Sequence, residues 1–230
     1  MSLIEQNSVV FLAGLLTTLR IAIVTLLAST LIGIVLGTLA TSGSAGLRRA
    51  VRWYVEGLRA VPLIVNLFCI YFVSPLLGLN LTPYMAVVLG LSLWGGANGA
   101  EIVRGGLEGV PRHQAESARA LGLRTWQTFV LVVFPQALRA ILPAFAGLLT
   151  LLLQSTSLGA LVGVPEFFRV GQLVIERSTV MQGLDPAFAI YGFMLAIYFV
   201  LCSGLTWSAR RLEFRLGRSD RSRVPAIPSL

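Results

Sequence analysis

The sequence predicts an all-α integral membrane protein with about five transmembrane helices. Three observations lead there. The 230 residues are 56% hydrophobic and 12% charged, with a mean hydropathy of +0.81, and so little polar sequence cannot cover a soluble core of that size. Several apolar runs reach or exceed the roughly 20 residues that cross a bilayer. All eighteen basic residues are arginine, with no lysine, and most fall in polar stretches between the apolar runs, as membrane topology requires. The net charge of +8 therefore reflects topology and gives no reason to expect a nucleic-acid partner.

Residues 1–8 are polar and lack arginine, unlike the positive start of a secretory signal. The first apolar run is expected to be retained, with the N-terminus outside. That run, 9–40, exceeds one perpendicular span, and Arg20 divides it. Residues 9–19 read as an interfacial or tilted lead-in and 21–39 as the core span. Gly33 and Gly37 form a small-xxx-small pair, suited either to one specific helix contact or to general close packing. Residues 41–60 read as a polar linker carrying Arg48, Arg49, Arg52 and Arg59. The second span covers 60–79 and the third 84–103, joined by a short turn at Asn80. The fourth, 129–153, is interrupted by Pro135, Arg139 and Pro143; the fifth covers 188–207. The tail, 208–230, holds six arginines and is expected to be solvated or to touch anionic lipid.

Residues 155–186 resist this count. Their apolar pieces, 158–164 and 170–175, are each too short to span, and Glu166, Arg169, Glu176, Arg177 and Asp185 lie among them. The segment reads as re-entrant or as an external helix pair, because irregular backbone at membrane depth survives only against protein or water. Arginine asymmetry sets the orientation. The 41–60 stretch, the loop after the third span and the tail are basic, whereas the N-terminus and the Asn80 turn carry no arginine. An odd number of spans then gives N-out and C-in.

The most polar long segment inside this apolar chain is 101–143. Its centre reads as a short amphipathic helix, with Pro111 in the first turn and Gly122 just past the last. Ala115, Ala118 and Leu121 give it a small face, and Glu116 is placed to pair with Arg119. Small residues let a partner's backbone come close, so the helix suits being gripped.

Here the sequence resembles a known family. The run Gln114-Ala115-Glu116-Ser117-Ala118, then Leu121-Gly122, then Phe134-Pro135-Gln136-Ala137 and Pro143, resembles the EAA loop of ABC importer permeases, most closely the polar amino acid permease family. Further stretches match in order: 14–18, 56–62 (EGLRAVP), 101–107 (EIVRGGL), 156–158 (TSL) and 163–166. The chain departs from the pattern at His113, where the family has glycine, at Ser117, at Asn98, and at Gln154 and Ser155, where the family has lysine and aspartate.

The resemblance implies a single transmembrane permease domain, 1–230, with 105–127 as a cytoplasmic coupling loop that docks on an ATPase subunit. It implies an identical or similar permease partner, an extracytoplasmic solute-binding protein, and an amino acid or related polar compound as substrate. Gln114, Glu116, Ala118 and Gly122 are the expected ATPase-coupling residues. Glu101, Arg104, Glu166 and Arg169 are the substrate-path candidates, since ionisable groups beside membrane segments mark pathways or partner contacts; Glu101 and Arg104 also stand one turn apart, where they would pair.

The composition excludes other classes. A P-loop needs a lysine on the terminal phosphates, so ATP hydrolysis is expected in a separate subunit and no cofactor in this one. Cys69 and Cys202 fall in spans as packing residues, and no metal-ligand spacing occurs. His113, the one histidine, lies in the polar loop with no nucleophile matched to it, so an intramembrane enzyme is disfavoured. The alternative is a secondary transporter or channel subunit without an ATPase, which would call for inverted repeats; none is visible.

Overall fold

The computed structural model describes residues 3–183 and 185–221; the end of the tail, 222–230, lies outside them. The described chain is helical, with no strand. A short turn, Leu3–Gln6, precedes α1, Ser8–Ala40. At 1.5 Å per residue α1 is about 50 Å long, so the expected break into lead-in and core span is absent. Arg20 interrupts the hydropathy but not the helix: its side chain is exposed, and a side chain pointing outward leaves the backbone ladder intact.

The hub is α4, Pro83–Glu108, whose apolar window is 61% buried against 28% for α1. Thr82 caps it, accepting from the Met85 amide at 3.2 Å, and Pro83 opens the first turn. Helices α1 and α4 run parallel at backbone contact. A Cβ placed on Gly33 would meet the Gly99 backbone at 3.0 Å; on Gly37, Val103 at 2.5 Å; on Gly96, Ile32 at 2.4 Å. The Gly33/Gly37 pair is thus a specific helix contact, answered across the seam by Gly95, Gly96 and Gly99.

The expected polar linker is an amphipathic helix, α2, Ala45–Ala60. Val51 and Val55 bury against Ala100 and the end of α1, while the Tyr54 hydroxyl donates to the Leu93 carbonyl at 3.2 Å. Nor is the second crossing one continuous span over 60–79. Helices Ala45–Ala60 and Leu63–Leu77 meet at 101°. Pro62 has no amide hydrogen to continue a ladder, and it holds Val61 extended, at φ −100° and ψ 133°. The Asn66 amide group fastens the elbow by donating to the Leu58 and Val61 carbonyls at 3.1 Å each. Beyond it lie α3, Leu63–Val73, and a 3-10 turn, Ser74–Leu77, closed by Gly78 at φ 75°.

The polar loop holds α5, Arg112–Ala120, and a turn, Thr125–Thr128. A π turn, Phe129–Val133, leads into α6, Phe134–Ser155, with the Phe134 amide reaching back to the Phe129 carbonyl. Prolines 135 and 143 do not interrupt the span: the first lies just past the π turn, at the second residue of α6, and the second lies inside the helix. A 3-10 turn, Thr156–Val162, follows α6; then come α7, Phe167–Gln182, and α8, Ala187–Arg221. The puzzling 155–186 segment therefore contains one 3-10 continuation and one 16-residue helix, and α7 packs between α1 and α8 through Phe11, Phe167, Val170, Val174, Ile190 and Met194. Helix α8 outruns the expected 188–207 span into the tail, where the Arg211 guanidinium lies 3.7 Å over the Trp207 ring.

The seam gives a direct expectation. Gly96→Val drives a branched side chain into Ile32, and overpacking of this kind costs roughly 1–3 kcal/mol. Its unfolding midpoint in detergent should fall by several degrees. Gly105→Ala, where nothing lies within 4 Å, should match or exceed wild type. Equal midpoints for the two variants would disprove the seam.

Candidate functional site

Three groups of polar residues stand out. The first is the loop helix α5. Gly122, at φ 86°, closes it: its amide reaches the Arg119 carbonyl at 2.9 Å and the Leu123 amide reaches the Ala118 carbonyl at 3.2 Å, the paired bonds of a Schellman motif. Gly122 fills the expected stop position, and Pro111 stands one residue before the first helical residue, at ψ 132°. The expected small face is rotated. Ala118 is 6% exposed and packs into its own chain, whereas Leu121 is 82% exposed. Arg119 turns its Nε to the Ala115 carbonyl, 3.2 Å away, rather than to Glu116, because a main-chain acceptor one turn back is the nearer partner. Gln114 faces α6, where its Oε1 accepts from Gln136 Nε2 at 3.4 Å. The outward face carries Arg112, His113, Glu116 and Ser117, continued by exposed Leu121 and Trp126. Trp126, unassigned from sequence, is the one tryptophan in the 101–143 segment.

The second group lines a crevice of about 320 Å³ between α2 and α4, walled by Arg48, Arg52, Glu56, Arg59, Glu101, Arg104 and Glu108. Arg104 donates through Nε to Glu101 at 3.0 Å and through its terminal nitrogens to Glu101 and Glu108. Arg59 approaches Glu101 from the other helix at 3.9 Å. Glu101 and Arg104 thus both pair, one turn apart, and border the cavity. Arg59, which joins them, lies in the 56–62 stretch that carried the resemblance.

The third group is a buried junction around Glu166, which has no exposed surface. One carboxylate oxygen accepts the Arg169 amide at 2.7 Å. The other accepts the Phe168 amide at 2.9 Å, the Tyr198 hydroxyl at 3.2 Å and the Thr18 hydroxyl at 3.3 Å. Thr18 in turn accepts the Phe167 amide at 3.0 Å. Glu166 caps α7 and ties α1, α7 and α8 together, so every acceptor it has is engaged within the fold. Its neighbour Arg169 points elsewhere, to Gln172 and Glu176 at 3.3 Å. Neither Thr18 nor Tyr198 was singled out from sequence; Thr18 closes the 14–18 stretch, whereas nothing around Tyr198 marks it. Among the described residues no group of histidine, cysteine and acidic side chains could hold a metal ion.

The profile of the family described as Binding-protein-dependent transport system inner membrane component matches residues 29–218. A probable glutamine ABC transporter permease protein of Bacillus subtilis (strain 168) is 32% identical over 212 residues, covering 92% of this chain and 96% of the relative. A glutamine transport system permease protein of Escherichia coli (strain K12) is 31% identical over 205 residues, covering 88% and 91%. Among solved structures, an amino acid ABC transporter with histidines superposes at a TM-score of 0.82 with 26% identity, covering 92% of this chain and 96% of that one. The inward-facing MetNI methionine ABC transporter shares the fold at a TM-score of 0.74 and 20% identity, covering 94% and 99%.

The junction can be tested through stability. Thr18→Val leaves the buried Phe167 amide without an acceptor and should cost roughly 1–3 kcal/mol, whereas Tyr198→Phe removes one bond among several and should cost about 1 kcal/mol. Thermal unfolding of the purified protein in detergent reads both. A Thr18→Val protein as stable as wild type would show the junction to be incidental.

Proposed function

This chain belongs to the family of binding-protein-dependent transport system inner membrane components, and from that premise we propose that it is a permease of an importer for amino acids or closely related polar compounds. As a family member it is a multi-pass inner-membrane subunit of an ATP-driven importer. ATP hydrolysis belongs to a separate ATPase subunit, and a substrate-binding protein works with it. The substrate class is supported by the glutamine, cystine and glutamate permeases among its relatives.

The observation that carries the mechanism is α5: a short helix, locked at its end by Gly122, with a polar outer face flanked by bare Leu121 and Trp126. We place the ATPase against that face. Glu116 meets the ATPase; Gly122 sets the angle of exit; Gln114 and Ala118 act from behind by seating the helix on α6. Orientation follows the arginines, with the N-terminus outside and the loop and tail in the cytoplasm, the tail close enough to anionic headgroups to contact them. A second copy, or a similar permease, completes the pathway. The crevice of Glu101 and Arg104 forms its cytoplasmic mouth, where both signs of charge suit a zwitterion. Glu166 and Arg169 shape the opposite half, the carboxylate through the junction it builds.

Gly122→Val places a β-branched residue at φ 86°, a conformation costing roughly 1–2 kcal/mol for an L-residue. Together with Leu121→Asp it should strip the ATPase from the purified complex at least tenfold while insertion stays normal. Wild-type co-purification with normal uptake would remove α5 from the interface. Single cysteines at Ser117 and Asn80, in a chain without its own two, should react with an impermeant maleimide from the cytoplasmic and outer sides respectively; the reverse pattern would invert the topology.

A further inference from the structure

The crossing that begins with α6 tightens to a 3-10 turn at 156–162 and breaks at 163–166, deep in the bundle. Glu166 meets Thr18 and Tyr198, ten and eleven residues inside the first residues of α1 and α8. At 1.5 Å per residue this puts the break about 15 Å below those ends. Non-helical backbone at such depth persists only where protein buries it or water and ligand reach it. Yet Leu161 is 53% exposed, and Gly163 and Pro165 are exposed as well.

Every nearby amide is already committed. Gly163 donates to the Ala160 carbonyl at 3.2 Å, Val164 to Gly159 at 3.0 Å and Glu166 to Val164 at 2.8 Å. Phe167 donates to Thr18, and Phe168 and Arg169 to the Glu166 carboxylate. Pro165 has no amide hydrogen. Among the described residues, the carbonyls of Leu161, Val162, Gly163 and Pro165 therefore receive no protein donor, and of these four residues only Val162 is buried. The broken end offers acceptors without donors, and Glu166 stands behind it: a Cβ on Gly159 would lie 3.5 Å from the Glu166 Cγ. A substrate carboxylate gains nothing here, because the amides at the start of α7 that would greet it are occupied by Thr18 and Glu166.

We propose that the carbonyl oxygens of Leu161, Gly163 and Pro165 form an ammonium-recognising element that receives the α-ammonium group of the transported amino acid. A primary ammonium carries three N–H donors and no acceptor, which suits a set of acceptors without protein donors, and Leu161, Gly163 and Pro165 are its exposed members. Unwound carbonyls at a broken membrane helix serve cations in this way in other transport folds. The inference rests on the reading that this permease carries amino acids.

The test uses the permease–ATPase complex without its binding protein. Radiolabelled L-glutamine is the first probe, followed by the other amino acids in turn, with the deaminated analogue of the bound amino acid (glutaramic acid for glutamine) as competitor. The analogue should compete at least tenfold more weakly than the amino acid. Pro165→Ala supplies an amide that can close on a free carbonyl one turn back, and it should weaken the amino acid at least tenfold while leaving the analogue unchanged. In proteoliposomes with the binding protein, the same variant should lose uptake and keep binding-protein-stimulated ATP hydrolysis. Equal competition by the analogue, or wild-type binding by Pro165→Ala, overturns the proposal while leaving amino-acid transport standing. A spontaneous disulfide between two Leu161→Cys copies, formed with and without substrate, assigns the carbonyls to the partner copy and also overturns it. If no amino acid is bound or taken up by the wild type, the amino-acid reading itself falls and this element with it.

Discussion

Backbone polar groups buried in hydrocarbon must find partners, and the fully buried Glu166 junction is where this chain meets that demand at the break after α6. The crossing that starts with α6 tightens to a 3-10 turn at Thr156–Val162 and gives up helical hydrogen bonding between Val162 and Phe167. One carboxylate and one threonine hydroxyl take up the three amides that the start of α7 leaves open. The same two side chains and Tyr198 bind three helices to each other, so the chain can break without coming apart. Helix α7 then covers the first turns of α1 and α8 with Phe167, Val170 and Val174.

The two ends of the bundle are held by different physics. Through the middle, α1 and α4 touch backbone to backbone along Gly33, Gly37, Gly96 and Gly99; dispersion over a close, smooth seam replaces the hydrophobic effect that lipid cannot supply. At the arginine-rich end, α2 meets α4 through a charged crevice in which Arg59 approaches Glu101 at 3.9 Å as an ion pair between the two helices. The seam resists sliding. The crevice consists of half-exposed pairs, each worth little in stability, and it separates at small cost.

Sequence made the helical class, the approximate spans and the loop helix legible because each rests on a local pattern: hydropathy over a window, a glycine after a polar helix, arginines between apolar runs. It misjudged what depends on a partner far along the chain. Arg20 looked like a boundary because charge lowers hydropathy, yet an exposed side chain leaves the ladder of α1 unbroken. Residues 41–60 looked like a linker because Val51 and Val55 show their stripe only once Ala100 lies beneath it. Ala118 was expected to face a partner, but a small residue suits close approach on either side, and here its own chain takes it. Glu166 was legible as an ionisable group near hydrocarbon; its role was hidden because Thr18 lies 148 residues away.

The π turn at Phe129–Val133 has a geometric consequence. It holds one residue more than the α-helical turn it replaces, and each residue of a helix advances the rotation by about 100°. The side of α6 on which the preceding loop stands is therefore set by a phase. None of the five residues is fully buried; only Phe129 and Val133 pack against the core formed by Val103, Leu107 and Ile141. Removing any one of them would leave composition, hydropathy and every outward residue of α5 in place, and would swing the loop about a quarter of a turn around the axis of the span. The length of this apolar stretch, more than its spelling, is the address from which Glu116 and Trp126 look out.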